Sequence, residues 1–316
     1  MAKEKKLTEL WRELKNETYV PGPYLEFYVY EPKERLIHAP RIRDKIVQFA
    51  THTVLQERYR PIFIKDSYAC IKGRGTHDAV RRIQHFMRLA DWKYEDPYIL
   101  KLDIRKYFYS IDREILKQLY RKKIPAGEKA FLTLLDRIVD SSPEGERGLP
   151  LGNVTSQDFA NIYLNELDQY CKRFLGIKHY VRYMDDVTMI FSSKEEAREA
   201  LNRVKEYVER HLHLQLNEKT KLFPLRQGVN TLGFKIHTTH RKVRDSSKRA
   251  MKRRIRKMNE KRMQGKMEEK EIQQAVNSWL GHARHSNSYF LCKKIFKPYP
   301  YIRIEDPKWK FGERRP

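Results

Sequence analysis

The chain has 316 residues, of which 40% are apolar, so it can bury a sizeable core and its length predicts about two domains. Lys and Arg number 66 against 41 Asp and Glu, and the net charge of +25 indicates a polyanionic partner, most simply nucleic acid. The three cysteines form no CxxC pair, and no apolar run has the length of a membrane span or signal-peptide core. These features argue against a disulfide framework, a cysteine-based zinc site and a membrane protein, and they predict a cytoplasmic location.

The sequence pattern predicts a mixture of helices and strands. Apolar residues at helical spacing predict helices, and short apolar runs bounded by turn residues predict strands. In chain order the predicted elements are a helix over 7–17, two strands over 24–38 with a turn at Glu31-Pro32, helices over 41–59 and 76–89, a strand over 98–103, helices over 112–123, 126–140 and 154–174, a hairpin over 179–191 with its turn at Asp185-Asp186, a helix over 194–211, a strand over 231–237 and a basic helical stretch over 241–270.

The basic charge is concentrated towards the C-terminus. Residues 241–316 contain 23 Lys and Arg against 8 Asp and Glu, which accounts for +15 of the total +25. A charged helix is usually a solvated face, but an excess of this size favours contact with nucleic-acid phosphates. The residues predicted to make such contacts here are Arg253, Arg254, Arg256 and Lys257.

Two segments place carboxylates at the ends of apolar strands. Asp185 and Asp186 are adjacent at a predicted hairpin turn, and Asp103 ends the predicted strand over 98–103. Adjacent carboxylates repel each other, which favours a bound cation, although Asp is also common in ordinary turns. Carboxylates from two such segments can share a pair of Mg²⁺ ions that clamps the oxygens of a phosphoryl transfer.

Taken in order, the segments from about residue 24 to 237 resemble the reverse transcriptases. Lys101-Leu-Asp103-Ile-Arg-Lys-Tyr-Phe108 resembles the first-acid motif of that family and Tyr183-Met-Asp185-Asp186 the second-acid motif. Leu216-Asn-Glu-Lys219 resembles the following lysine motif, and Thr231-Leu-Gly233-Phe resembles the primer-grip motif. The resemblance implies an α+β right-hand polymerase. Its expected parts are an N-terminal helical extension over 1–22, fingers and palm with an antiparallel sheet over 23–240, and a basic helical thumb over 241–316.

One segment resembles a particular subfamily. Leu151-Gly-Asn-Val-Thr-Ser-Gln157 stands where most reverse transcriptases carry Gln-Gly-x-x-x-Ser-Pro, and this version resembles the enzymes of diversity-generating retroelements. Lys72-Gly-Arg-Gly-Thr-His77 and Ser278-Trp-Leu-Gly-His-Ala283 add to that resemblance. It implies error-prone cDNA synthesis, chiefly opposite template adenines, for diversification of a target gene by mutagenic retrohoming. The implied partners are a template-repeat RNA, the cDNA, dNTPs and an oligomeric accessory variability protein.

Two other functions stay open. A defence-type or retron-like reverse transcriptase would use another RNA or another priming mode. A basic RNA-binding scaffold with a decayed polymerase fold is the second alternative, but Asp103, Asp185 and Asp186 argue against it because a scaffold needs no converging carboxylates.

The family resemblance also implies catalytic roles. Asp103, Asp185 and Asp186, with the Ile104 carbonyl, would bind two Mg²⁺ ions, for which Mn²⁺ is a substitute. Lys219 would protonate pyrophosphate as it leaves, and a solvated lysine is the alternative. Outside residues 241–316, the residues predicted to contact nucleic acid are Lys72, Arg74, Tyr183 and Gly233.

A further set of residues is predicted to bind the nucleotide. Phe108 would exclude a 2′-hydroxyl as a steric gate, unless it is an ordinary core aromatic. Leu151 cannot supply the hydrogen bonds of the usual Gln, so we expect it to affect fidelity. The remaining members are Lys33 and Arg35 on the predicted strands, for which a solvated charged strand is the alternative, Arg43, for which a helix-surface charge is the alternative, and Gln157.

Overall fold

The computed structural model describes residues 2–30, 34–143, 145 and 147–304. Runs of helices and runs of strands follow one another along this part of the chain. The helices are α1 (Ala2–Lys15), α2 (Ile42–Tyr59), α3 (Thr76–Lys93), α4 (Tyr107–Ser110), α5 (Arg113–Arg121), α6 (Lys129–Asp140), α7 (Val154–Gln169), α8 (Lys194–His211), α9 (Asp245–Met263), α10 (Glu269–Ala283) and α11 (Tyr289–Phe296). The strands are β1 (Leu25–Val29), β2 (Arg35–Ala39), β3 (Tyr98–Asp103), β4 (His179–Tyr183), β5 (Asp186–Phe191), β6 (Lys221–Pro224), β7 (Val229–Thr231), β8 (Phe234–Ile236) and β9 (Arg241–Val243).

The described strands form three sheets. A two-stranded antiparallel sheet pairs β1 with β2, with Leu25 opposite Ala39. A four-stranded sheet has the order β4-β5-β3-β6, so β3 lies beside β5 although they are far apart in the chain. A three-stranded antiparallel sheet has the order β7-β8-β9. The four-stranded sheet therefore brings both predicted carboxylate segments onto neighbouring strands.

The chain forms two compact units. The first contains the residues up to Gly75, Leu100–Met189 and Glu195–Leu222, and the second contains Thr76–Ile99, Ile190–Lys194 and the residues from Phe223 onward. The division passes through strands β3, β5 and β6. The domain boundaries predicted near residues 22 and 240 stay predictions.

Helix α7 is the central helix of the first unit. Twelve of its sixteen residues are buried, including polar ones that need partners in the interior. Asp158 accepts hydrogen bonds from His52 (2.7 Å) and Gln56 (2.7 Å), and the Asn161 amide donates to the Ala69 carbonyl at 2.9 Å. These bonds fix α7 against α2 and the loop that follows it.

The second unit contains a helical core near the C-terminus. Buried side chains recur at helical spacing on α9 (Met251, Ile255, Met258) and on α10 (Ile272, Val276). They pack with α11 into one apolar cluster. The helical character predicted for this region is confirmed. No helix in the described part of the chain is long and apolar enough to cross a bilayer.

Several predicted boundaries were wrong. The turn between β4 and β5 consists of Met184 and Asp185, and Asp186 already begins β5. The single strand predicted over 231–237 is the end of one hairpin strand and the whole of the next, and the stretch predicted to be helical from Arg241 begins with β9. Pairing with neighbouring strands overrides local preference at these places. The turn predicted at Glu31-Pro32 lies outside the described residues.

Candidate active site

The carboxylates predicted to be catalytic lie at the ends of two adjacent strands of the four-stranded sheet. Asp103 is the last residue of β3, Asp185 lies in the β4–β5 turn, and Asp186 is the first residue of β5. All three side chains are half-buried. The structure thus brings the first-acid and second-acid motifs together, as the sequence predicted.

The surroundings of Asp185 disfavour its charged form. Burial raises the pKa of Asp185 above the ordinary value of an aspartate, and the charges of Asp103 and Asp186 raise it further. Arg35 is near enough to lower that pKa, which opposes the three effects. A site in which carboxylates raise the pKa of a neighbour has a deficit of positive charge.

Lys101 supplies part of the missing positive charge. Its Nζ lies 3.0 Å from Oδ2 of Asp186 on the neighbouring strand. Because side chains alternate along a strand, Lys101 and Asp103 lie on the same face of β3. The ion pair therefore holds Asp186 across this face of the sheet, beside Asp103.

The donor set suits a hard divalent cation. Mg²⁺ prefers oxygen ligands and usually takes one or two carboxylates together with substrate phosphates. In the part of the chain that the structure describes, no three His, Cys, Asp or Glu side chains lie close enough to hold a metal ion by themselves. Asp103 and Asp185 are nevertheless coupled through the pKa of Asp185, and a cation between them would remove their repulsion. The residues present therefore fit a metal ion that is completed by substrate oxygens.

A buried arginine lies directly behind the β4–β5 turn. Arg182 and Asp168 are both completely buried, and the guanidinium donates from Nε and Nη2 to the two carboxylate oxygens at 2.7 Å each. Its Nη1 donates to Asn161 at 3.0 Å and to the Met184 carbonyl at 3.1 Å. Arg182 thus joins α7 to the backbone of the turn.

The turn itself adopts an uncommon backbone conformation. Met184 has a φ of 55°, in the left-handed region that residues other than glycine rarely adopt. Such a conformation persists where the surrounding structure enforces it, and it is concentrated at functional sites. The bond from Arg182 to the Met184 carbonyl is one contact that enforces it.

Backbone contacts fix the end of β3 against the segment that carries Lys219. The Asn217 amide donates to the Asp103 carbonyl at 2.7 Å, and Ile104 forms an isolated antiparallel bridge with Leu216. The Lys219 amide bonds to the Asn217 side chain at 3.1 Å, while the Lys219 side chain is exposed. The lysine motif therefore lies beside the first-acid motif, with its lysine open to solvent.

The predicted nucleotide-binding residues of the N-terminal segment have different surroundings. Arg35 begins β2, is exposed, and acts electrostatically on Asp185. Lys33 lies outside the described residues. The Arg43 guanidinium pairs with Glu13 and donates to the Val20 carbonyl at 3.0 Å. These contacts favour the alternative for Arg43, a charge on the helix surface.

Phe108 lies in α4, and the segment that begins at Leu151 is bonded to β2. Phe108 is half-buried in α4, and its carbonyl accepts a bond from the Leu149 amide at 2.8 Å. The Leu151 carbonyl accepts a bond from the His38 amide at 2.9 Å. At Gly152, with a φ of 112°, a Cβ atom would lie 2.8 Å from Ile37, so only glycine permits this close approach.

Four other predicted residues of this unit differ in exposure and in their contacts. Lys72 and Gln157 are exposed, and Tyr183 is half-buried at the end of β4. Arg74 instead donates to the carbonyls of Ile64 (2.6 Å) and Ser67 (3.1 Å). Its guanidinium therefore stabilises the loop, which leaves Lys72 as the more accessible cation of the Lys72–Gly75 segment.

The primer-grip motif forms a tight turn in the second unit. Leu232 and Gly233 both have positive φ, of 50° and 85°, between β7 and β8. The His282 ring stacks on Phe234 with centroids 4.3 Å apart, and a Cβ atom at Gly233 would lie 2.8 Å from this ring. His77 stacks on His285 at 3.5 Å in the same cluster. Histidines from α3 and from the end of α10 thus support the turn.

The basic residues of the C-terminal region lie on one exposed face of α9. The buried residues Met251, Ile255 and Met258 occupy the opposite face. The four cations predicted to contact nucleic acid are fully on the solvent side: Arg253, Arg254, Arg256 and Lys257.

Sequence reasoning missed Lys101, Asp168, Arg182 and Met184. For Lys101 a signal was present, since it stands two positions before Asp103 in a predicted strand. The pairing of Arg182 with Asp168 depends on how α7 packs on β4, which no local pattern specifies.

Comparison with known proteins agrees with this geometry. Residues 30–236 match the family model described as "Reverse transcriptase (RNA-dependent DNA polymerase)". Protein YkfC of Escherichia coli (strain K12) is 26% identical over 267 residues, which cover 71% of this chain and 69% of that protein. The group II intron-encoded protein LtrA of Lactococcus lactis subsp. cremoris is 28% identical over 229 residues, covering 69% of this chain and 36% of LtrA.

Solved structures of telomerase have a similar fold. Apo telomerase from Candida tropicalis gives a TM-score of 0.51 at 12% identity, covering 73% of this chain and 52% of that chain. Telomerase from Candida albicans with a fragment of telomeric RNA gives 0.53 at 12% identity, covering 76% and 49%. The chain thus spans about half the length of these telomerases. At this identity the likeness concerns the fold, and it confirms the α+β right-hand polymerase predicted from the sequence.

Proposed function

The chain belongs to the reverse transcriptase family, and from that membership we propose that it copies an RNA template into error-prone cDNA within a diversity-generating retroelement. The single observation that carries the polymerase part is the meeting of Asp103, at the end of β3, with Asp185, in the turn before the neighbouring strand β5, where the charge of Asp103 raises the pKa of Asp185. The family generally uses divalent metal ions, and we propose Mg²⁺ as the ion here.

The carboxylates would hold the ions and the surrounding residues would place them. When bound, divalent ions would neutralise the charge of the triphosphate and activate the primer 3′-hydroxyl. Asp103 and Asp185 offer oxygen ligands, and Lys101 keeps Asp186 beside them. Arg182 fixes the backbone of the turn that carries Asp185.

Other residues would bind the substrates. Arg35 would contact the triphosphate, and its effect on the pKa of Asp185 supports that role. We propose that Phe108 excludes the ribose 2′-hydroxyl and that Lys219, with its exposed side chain, protonates the leaving pyrophosphate. The template-repeat RNA would contact the exposed cations of α9, and the hairpin turn at Gly233 would hold the primer.

Leu151 supports the error-prone subtype. Its backbone is fixed to β2, because the Leu151 carbonyl accepts a 2.9 Å bond from the His38 amide. A leucine there has no hydrogen-bonding group for the nucleotide, whereas the Gln of most reverse transcriptases has both a donor and an acceptor. Loss of that polar contact would weaken discrimination between paired bases.

A reverse transcriptase of another mobile element is the second candidate. The observation that favours it is the 28% identity to the intron-encoded protein LtrA over 69% of this chain. This second candidate predicts that the cDNA is copied faithfully, without errors concentrated opposite adenine.

Primer extension on a defined RNA template, with Mg²⁺ and four dNTPs, tests the proposal when the products are sequenced. We expect extension with errors concentrated opposite adenine, and none from the Asp185→Asn variant. Faithful extension would contradict the diversity-generating function and favour the second candidate. Extension that survives Asp185→Asn would contradict the assignment of the catalytic site.

A further inference from the structure

A basic pocket lies next to the end of strand β3 in the first unit. It has a volume of about 330 Å³ and is lined by Arg105, Lys106, Tyr109, Ser110, Arg147 and His213. Small-molecule sites begin at about 300 Å³, so the pocket suits a compact ligand. None of these residues has a role in the polymerase site proposed above.

The backbone connects this pocket directly to the first-acid motif. Arg105 follows Asp103 by two residues, and its amide donates to the Gln215 carbonyl at 2.9 Å. Gln215 also lines the pocket, and Asn217 beyond it bonds to the Asp103 carbonyl. Two walls of the pocket are therefore fixed to the backbone of Asp103.

The charge of the pocket is positive and only partly compensated. Asp112 lies 3.0 Å from His213 Nδ1 and 3.6 Å from Arg147 Nη2, so one carboxylate orients both side chains. The side chains of Arg105 and Lys106 form no ion pair within the described residues. A structural role for Asp112 thus explains two of the basic side chains and leaves the other two unexplained.

Local geometry holds these two residues in place. Lys106 has φ 46° and ψ 43°, a left-handed conformation that is uncommon for lysine. The Ser110 hydroxyl lies 3.0 Å from the Arg105 carbonyl and 3.1 Å from the Lys106 carbonyl. Backbone strain that is fixed in this way is found mainly at functional sites.

We propose that the basic pocket binds a small polyphosphate anion, namely the pyrophosphate that nucleotide transfer releases. This inference rests on the proposed function for the source of the ligand. Arg105 and Arg147 would provide forked donors for phosphate oxygens, Lys106 a point charge, and Tyr109 a hydroxyl donor. The pocket would then receive the leaving group beside the strand that carries Asp103.

Direct titration of the full chain with inorganic pyrophosphate tests the inference. Calorimetry in EDTA removes binding through divalent ions and requires no catalysis. We expect Arg105→Gln and Arg147→Gln each to weaken binding about tenfold, which corresponds to about 1.4 kcal/mol. Arg210→Gln is the matched control, because Arg210 is an exposed cation of nearby α8 paired only with Glu206 at 2.6 Å in the described part.

The inference would be overturned if the pocket variants bound pyrophosphate as tightly as Arg210→Gln does. It would also be overturned if the pocket variants lost affinity for single-stranded RNA but still bound pyrophosphate normally. Circular dichroism confirms that each variant is folded, and Arg147→Lys should retain more affinity than Arg147→Gln. Asp185→Asn should bind pyrophosphate normally. An inactive wild-type chain that still binds pyrophosphate through Arg105 would refute the polymerase function but not the pocket.

Discussion

Replacement of Arg182 by methionine removes the buried cation behind the β4–β5 turn. Asp168 then loses both 2.7 Å bonds, and within the described residues it keeps the 2.6 Å bond from the Tyr180 hydroxyl. The Met184 carbonyl loses its bond as well. A completely buried carboxylate is left without a counter-charge, which is the costly way to break an ion pair.

The expected loss is large. Removing one partner of a buried pair costs about 3–5 kcal/mol of unfolding free energy. Native proteins have only about 5–15 kcal/mol in total, so Arg182→Met should unfold at clearly lower urea concentration. Arg203→Met is the control, because its pair with Glu199 is exposed and 3.8 Å long, and such pairs contribute about 1 kcal/mol or less.

A double variant separates stability from catalysis. In Arg182→Met with Asp168→Asn the unpaired charge is gone, while the amide oxygen can still accept the Tyr180 bond, so most of the lost stability should return. Primer extension should stay low, because nothing replaces the bond to the Met184 carbonyl. Recovery of full extension together with stability would refute a positioning role for Arg182. A loss no greater than that of Arg203→Met would refute the energetic reasoning.

Three further predictions concern charge and specificity. Asp185→Asn should raise the unfolding free energy at pH 7 without divalent ions, because the raised pKa of Asp185 means that its charged form is disfavoured in the fold. The gain should vanish as the pH falls below the ordinary aspartate pKa, and added Mg²⁺ should stabilise the wild type only. Leu151→Gln should reduce misincorporation opposite adenine, measured by sequencing cDNA. Arg253→Ala with Arg254→Ala should weaken RNA binding and flatten its dependence on salt.

Matched variants serve as controls for the two predictions that concern charge. Asp112→Asn should destabilise the protein at pH 7, since hydrogen bonds from His213 and backbone amides outweigh burial and lower the pKa of Asp112. Arg203→Ala with Lys205→Ala removes two exposed cations of α8 that have glutamate partners, and RNA binding should change less. Equal effects of the α8 and α9 pairs, or an unchanged error spectrum in Leu151→Gln, would contradict the respective prediction.

Elements with a strong local pattern were predictable from the sequence. Helix α8 has buried residues at helical spacing (Ala197, Ala200, Val204 and Val208), and its predicted bounds of 194–211 are confirmed. The apolar run that forms β3 was likewise assigned as a strand over the correct residues. Both are fixed by burial of a single repeating face.

The details of the site depended on tertiary contacts. An Asp-Asp pair is the usual indication of a turn, yet the turn residues are Met184 and Asp185, and Met184 takes a positive φ that its side chain disfavours. Arg182 stands in an apolar strand, where a charged residue would ordinarily be solvent-exposed, but Asp168 of α7 pairs with it in the interior. Neither the strain nor the partner is encoded by neighbouring residues.

Cleavage of the chain by Fe²⁺-generated hydroxyl radicals tests the central claim most directly, because it locates the bound cation without any need for turnover. With Fe²⁺ in place of Mg²⁺, we expect cuts near Asp103 and near Asp185, competed by Mg²⁺. Asp185→Asn should abolish both sets of cuts, while Asp112→Asn should leave them unchanged. Cleavage that persists at both segments in Asp185→Asn would contradict a metal-dependent polymerase site formed by these two carboxylates.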